Sequence, residues 1–194
     1  MAYGLIVGLG NPGVEYAVTR HNAGFLVIDA FANKSGLRWV LDKKHCAWTA
    51  KRFRNSTSLI LAKPTTFMNE SGTAVSKLCG YYRVPPTKVV VVYDDIAFPV
   101  GDFRIHQREG TGGHNGVADV LSKIGGGFVR YRIGIGAKTN KQMDLKDHVV
   151  GRFSEDELKI LQNKMSEILD CLQLLLDKGT EHAMNLANRK FFYG

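Results

Sequence analysis

Eight polar residues of this 194-residue chain stand in or beside glycine-rich turns: Asn11, His21, Asn22, Asn69, Asp94, Asp95, His114 and Asn115. Their types combine into one chemistry. An imidazole can take a proton from water, a carboxylate can fix the ring's tautomer and stabilise the imidazolium, and amides can orient the water or donate to an oxyanion. Each also stands near a predicted strand end or helix start, and open α/β sheets bind ligands beyond the carboxyl ends of their strands. Taken singly, these residues have plainer readings: Asn11 and Asn115 as turn formers, His21 as a helix-start histidine, Asp94 as a loop acid. A covalent nucleophile has little support. No serine occupies a G-x-S-x-G turn, and Cys46, Cys79 and Cys171 fall on apolar strand or helix faces. His21 with His106 or His114 matches no metal-ligand spacing, so no metal is expected.

The elements that must position these residues follow from periodicity. Residues 3–7 are a short apolar run ending at Gly8, which predicts a buried strand leading into a glycine loop. Residues 23–33 carry Phe25, Ile28, Phe31 and Ala32 on one face, with Gly36 as a stop, and predict a helix. Residues 46–53 and 58–62 predict a hairpin across the polar turn 54–57. Ala74, Val75, Leu78 and Tyr82 give residues 71–83 a helical spacing that Pro85 and Pro86 end; the β-branched run 88–93 then predicts a central parallel strand. An edge strand is expected at 102–106, a glycine loop at 110–116, a short helix at 117–124 and a strand at 130–136. Ser154 and Glu157 form a capping box for a long helix carrying Leu158, Leu161, Met165, Ile168, Leu172 and Leu176 and ending at Gly179. The alternation predicts an α/β fold: a single-domain three-layer sandwich over 1–194, with a twisted, mixed, partly parallel sheet flanked by helices. The C-terminal helices at about 154–190 belong to that same domain.

Composition narrows the class. An apolar fraction of 44% and a charged fraction of 23% are those of a folded globular chain. No run reaches the roughly 18 apolar residues of a membrane span, and no basic stretch precedes the first apolar one as in a secretory signal. Three scattered cysteines without a CxxC pair argue against a disulfide framework or zinc cage and fit a reducing cytosol. Lys plus Arg number 26 against 18 for Asp plus Glu, a net charge of +8 that favours a polyanionic partner, nucleic acid first. Gly8, Gly10 and Gly13 satisfy G-x-G-x-x-G with Asp29 about 20 residues on, as in a dinucleotide site. Asp29, however, falls inside the periodicity of the first helix, and Pro12 removes an amide from the loop, so no such cofactor is expected.

Taken together, GLGNPGVEYAVTRHNAGF, KPTTFMNESG, YDDIAFPVG and GTGGHNG followed by RYRIGIG resemble the bacterial peptidyl-tRNA hydrolases, in order and along essentially the whole chain. The resemblance implies hydrolysis of the ester joining a peptide, or another N-blocked aminoacyl group, to the 3′ ribose of tRNA. It implies a cytoplasmic monomer without cofactor, metal or membrane partner. His21 is then the catalytic base and Asp94 its supporting carboxylate. Asn11 falls where the family tells blocked from free aminoacyl groups. Tyr16, Phe67, Asn69 and Asn115 fall where the 3′ end of the substrate binds, with Met68 beside them. Asn69 and Asn115 are both candidates for orienting water and substrate. Arg132 aligns with a residue used on tRNA phosphates, and Arg104 and Arg130 are further candidates for that basic face. Two departures are visible. Ala97 replaces an acid common in the family, which leaves Asp94 untouched, and Arg104 and His106 stand where lysines are expected, which makes one phosphate contact weaker or pH-dependent. A non-catalytic RNA-binding relative, such as those serving intron splicing in plants, would keep the fold and the charge. His21, Asp94, Asn11, Asn69 and Asn115 are nevertheless all present here. An aminopeptidase-like hydrolase would need a metal or nucleophile that these residues do not supply.

Overall fold

Four consecutive valines at 89–92 have no polar alternation, so the strand they form must be covered on both faces. In the computed structural model, which describes residues 4–54, 57–108 and 110–189, they open strand β5 (Val89–Asp95), and all four are fully buried. β5 lies between β1 (Leu5–Gly8) and β7 (Val129–Gly134), parallel to both. β4 (Thr57–Pro64) joins β1 in parallel, and β3 (Ala47–Arg54) returns antiparallel to β4. The three-residue β2 (Val40–Asp42) and β6 (Phe103–His106) pair antiparallel at the two edges. The sheet therefore runs β2-β3-β4-β1-β5-β7-β6, mixed and partly parallel, with the valine strand central and residues 103–106 at an edge as predicted.

Alternation along the central strands divides the interior into two layers. Ile6, Val90 and Val92 face a core built with α1 (Ala23–Lys34), α5 (Glu155–Lys178) and α6 (Thr180–Asn188). Leu5, Val7, Val89 and Val91 face the other, built with α2 (Ser71–Tyr82) and α3 (Asn115–Ile124). The long helix starts at the expected box: Ser154 Oγ accepts from the Glu157 N–H, and the Glu157 carboxylate accepts from the Ser154 N–H. α1 reaches the sheet through Gly24, where a Cβ would lie 2.3 Å from the Val92 carbonyl oxygen and 2.6 Å from that of Leu9. Only glycine permits so close an approach.

Asp29 lies on α1 and holds Lys63 at 2.6 Å, which is the structural alternative to a ribose-binding acid. Lys63 also stands 4.7 Å over the Trp39 ring; Trp48, on β3 opposite Lys63, is 41% exposed. Of the strands and α-helices among the described residues, two were not predicted, β2 and the six-residue α4 (Leu145–Val150), because neither is long enough to display a period. α3 starts at Asn115, two residues before its predicted start. Residue 3 of the first predicted strand and residues 55 and 56 of the predicted hairpin turn lie outside the described residues. No helix among the described residues is long and apolar enough to cross a membrane.

Candidate active site

The site is assembled from four turns and from the carboxyl end of β5. The glycine loop after β1 carries Asn11. A 3-10 turn Arg20–Asn22 brings His21 to the start of α1, and a second one, Met68–Glu70, brings Asn69 to the start of α2. Gly112 and Gly113, at φ 58° and 78°, turn the last loop so that His114 caps α3 with Asn115 just inside it. That left-handed pair is a conformation other residues adopt only at a cost. Asp94 comes from the end of β5.

Asn11 and Asn22 clasp each other's neighbourhoods. The Asn11 N–H donates to Asn22 Oδ1 at 2.8 Å, and Asn22 Nδ2 donates to the Asn11 carbonyl at 3.0 Å. Asn11 Oδ1 then accepts the Met68 N–H at 2.8 Å. One asparagine thus ties the first glycine loop to the turns carrying His21 and Asn69. All of these bonds are buried, where their loss would cost most.

Asp94 is 3% exposed and accepts from two rings. His21 Nδ1 lies 2.9 and 3.0 Å from its two carboxylate oxygens, and His114 Nε2 lies 2.9 Å from one of them. The Val117 N–H donates to His114 Nδ1 at 3.3 Å, so the proton of that ring is on Nε2, facing Asp94. A carboxylate can only accept, so His21 carries its proton on Nδ1 and leaves Nε2 as a lone pair. Burial alone pushes Asp94 upward. The facing His114, its hydrogen bond and that of His21 outweigh this and hold the carboxyl well below the usual carboxylate range. The two imidazoles sit 5.0 Å apart, and Tyr93 packs its ring on His114 at 4.9 Å with its hydroxyl pushed by burial up to about 12. The donor atoms of His21, Asp94 and His114 all lie within 4.8 Å of one another, near enough to share a cation. His21 Nδ1 and His114 Nε2 are already paired with the Asp94 carboxylate, which supplies the ring orientation that base chemistry needs.

Around this trio opens a cleft of about 510 Å³. Asn11, Met68, Asn69 and Asn115 line it, and Asn69 and Asn115 are exposed there. Ile96 and one face of α4, Leu145, Lys146, Val149 and Val150, line it as well. α4 is fastened behind that face: His148 Nε2 donates to the Gly136 carbonyl at 3.0 Å, and the Arg20 N–H donates to the Gly151 carbonyl at 2.9 Å. Tyr16 and Phe67 meet edge to face at 6.3 Å, with Phe67 exposed.

The sequence-predicted residues separate into two groups. His21, Asp94, Asn11, Asn69 and Asn115 meet in one cleft, and Tyr16 and Phe67 pair with each other. The arginines behave differently. Arg104 is buried, stacked on Phe98 and donating to the carbonyls of Phe103 and Ala187, because α6 covers its side of the edge strand; it is not on a phosphate-binding face. Arg130 is wholly buried and donates Nε to the Gly110 carbonyl at 3.0 Å, so it also leaves the basic face. Arg132 keeps partial exposure, but its guanidinium pairs with Asp95 at 2.5 Å and donates Nη1 to His106 Nε2 at 3.1 Å. Burial, then the neighbouring Arg132, Arg130 and Arg108, hold His106 below its ordinary value and so neutral. Ala97 is exposed, and its N–H donates to Asp95 Oδ1 at 2.8 Å. His114 stood among the candidate polar residues without an assigned role. Its link to Asp94, 20 positions away, is a contact that spacing could not reveal. The α4 wall was missed altogether.

This sheet order, with a carboxylate-backed imidazole in a cleft at the ends of its parallel strands, defines the class: a mixed-sheet α/β protein with a His–Asp pair in its main cleft. A family model described as peptidyl-tRNA hydrolase matches residues 5–192, and the chain belongs to that family. It is 41% identical to the peptidyl-tRNA hydrolase of Edwardsiella ictaluri, over 97% of this chain and 96% of the relative, and 38% identical to that of Gloeobacter violaceus, over 97% and 95%. The crystal structure of peptidyl-tRNA hydrolase from Acinetobacter baumannii superimposes with a TM-score of 0.89 at 35% identity, covering 96% of this chain and 94% of that one.

Proposed function

We propose that the chain hydrolyses peptidyl-tRNA, with His21 as general base. Neutral His21 Nε2 takes a proton from water, and the hydroxide attacks the ester carbonyl. Asp94 steadies the imidazolium through Nδ1–H, and an amide of Asn69 or Asn115 donates to the oxyanion. Collapse of the tetrahedral intermediate breaks the bond to the ribose 3′ oxygen, which recovers the proton from His21. Peptide leaves as its carboxylic acid, which loses its proton to solvent, and tRNA leaves with a free 3′ hydroxyl. The observation that carries the reading is the His21–Asp94 pair opening onto a cleft with two exposed asparagines.

Tyr16 and Phe67 offer aromatic surface to the terminal base of the tRNA. With Arg104 and Arg130 inside the protein, exposed Lys146 on α4 and Arg108 ahead of the glycine loop join Arg132 as groups for phosphates. The protein acts in the cytosol as a monomer and needs no metal. One experiment tests the core of this: purified protein is incubated with N-acetyl-aminoacyl-tRNA and with free aminoacyl-tRNA, each with and without chelator. Release of the acetylated residue only, unaffected by chelator, is the expected result. Binding of tRNA without release makes the chain an RNA-binding module, and loss of release with chelator makes the His21–Asp94–His114 cluster a metal site.

A further inference from the structure

Helix α2 has no cap of its own. Glu70, at its capping position, makes no side-chain bond to the first turn, although unsatisfied N–H groups there ordinarily recruit a local Ser, Thr, Asp or Asn. The Gly72 N–H instead donates to Asp119 Oδ2 at 2.8 Å, on the neighbouring helix α3. Lys123 completes the joint, with Nζ 3.0 Å from both Asp119 oxygens and 2.8 Å from Thr73 Oγ1. Two glycines let the helix starts touch here: a Cβ at Gly72 would fall 2.4 Å from the Asp119 carbonyl oxygen, and one at Gly116 would fall 2.5 Å from Met68 Sδ.

The location gives the joint its meaning. Gly72 is three residues beyond Asn69, and Asp119 is four beyond Asn115, about one helical turn in each case. A local cap would satisfy the same donor without tying the start of α2 to α3. A cap delivered from α3 fixes the two helix starts against each other, and with them the two asparagines that line the cleft. We infer that Asp119 is a positioning residue for hydrolysis, one that sets the separation of Asn69 and Asn115 without lining the cleft itself. The inference rests on the hydrolase reading above.

Steady-state hydrolysis of N-acetyl-aminoacyl-tRNA by Asp119→Ala, Asp119→Asn and Gly72→Ala tests it, beside binding of deacylated tRNA and a thermal melt of each. Assays run well below every melting temperature. Displacement of an orienting group by about 1 Å costs up to about 10²-fold in rate, so Asp119→Ala lowers kcat by roughly ten- to a hundredfold. KM and deacylated-tRNA affinity stay within about twofold, the split expected of a transition-state effect. Asp119→Asn, whose amide oxygen still accepts the Gly72 N–H, recovers most of the loss, and Gly72→Ala repeats the Asp119→Ala pattern. Lys123→Met, at an exposed position that need not disturb folding, loosens the same joint and lowers kcat by about threefold to tenfold. Unchanged kcat in Asp119→Ala overturns the inference, as does a loss shared equally by KM and tRNA affinity, or an Asp119→Asn as impaired as Asp119→Ala. If Asp119→Ala does not fold, unchanged kcat in Lys123→Met overturns it. A wild type that releases nothing rejects the hydrolase reading and this inference together, whereas an active wild type beside an equally active Asp119→Ala rejects the inference alone.

Discussion

At the scale of single residues, one carboxylate serves two imidazoles, and this fixes what each ring does. His114 spends its free donor on Asp94 and its acceptor on the Val117 amide, so His21 alone has a lone pair for water. His21→Ala lowers turnover by roughly 10² to 10⁴ with substrate binding within a few fold, since a positioned base acts mainly in the transition state. Near-normal turnover by the folded variant in a single-turnover assay removes His21 from the mechanism. Because Asp94 is held below the ordinary carboxylate range, its stabilising contribution is complete above about pH 4, the unfolded value, and is lost as the pH falls below it. Melting temperature against pH should drop more steeply below about pH 4 in wild type than in Asp94→Asn, which also turns over slowly. A second test concerns selectivity. Asn11→Asp keeps an acceptor for the Met68 amide but adds a charge that welcomes a free α-amine, so the kcat/KM ratio for blocked over free aminoacyl-tRNA falls; an unchanged ratio clears Asn11 of that role. His21, Asp94 and the three cleft asparagines were legible because polar residues were left in glycine turns at strand ends. The buried arginines were not, because a count of charges carries no information about which side of a strand α6 will cover.

At the scale of elements, legibility followed length. β5 and α5 announced themselves by an unbroken valine run and by a capping box followed by a long stripe. β2 and α4 carry too few residues to show a period, yet α4 supplies one wall of the cleft. The boundary of α3 was displaced for a different reason: its first turn is capped by a histidine ring, a residue that sequence rules do not rank among helix caps. The seating of α1 permits a direct test. Gly24→Ala forces a methyl group against the Val92 and Leu9 carbonyls, and overpacking of this kind costs about 1–3 kcal/mol or more. Its melting temperature falls by several degrees, and kcat falls with it because His21 is carried on the turn that leads into α1. A variant that melts like wild type would mean that helix and sheet part easily there.

At the scale of the molecule, binding and chemistry occupy different groups. The cleft is lined by amides, the carboxylates Asp94 and Asp95, and a single lysine, Lys146, so most of the basic charge behind the net +8 lies outside it. Arg132 is the test between these uses, since it is paired with Asp95 and still partly exposed. If it contacts phosphate, Arg132→Ala makes the log–log dependence of KM on salt shallower by up to about 1 and raises KM most at low salt, with little change in kcat. An unchanged slope with a lowered melting temperature assigns Arg132 to the Asp95 pair alone.

Both tryptophans of the chain, Trp39 and Trp48, lie by Lys63 at the β2–β3 side of the sheet, and neither lines the cleft. Intrinsic fluorescence is therefore a reporter of that margin, where Lys63 covers the Trp39 ring and part of Trp48 meets solvent. The catalytic turns signal instead through activity. An unfolding curve followed by emission and one followed by turnover sample two separate regions of one protein, and their coincidence or divergence measures whether the sheet margin and the clasped turns come apart as a unit.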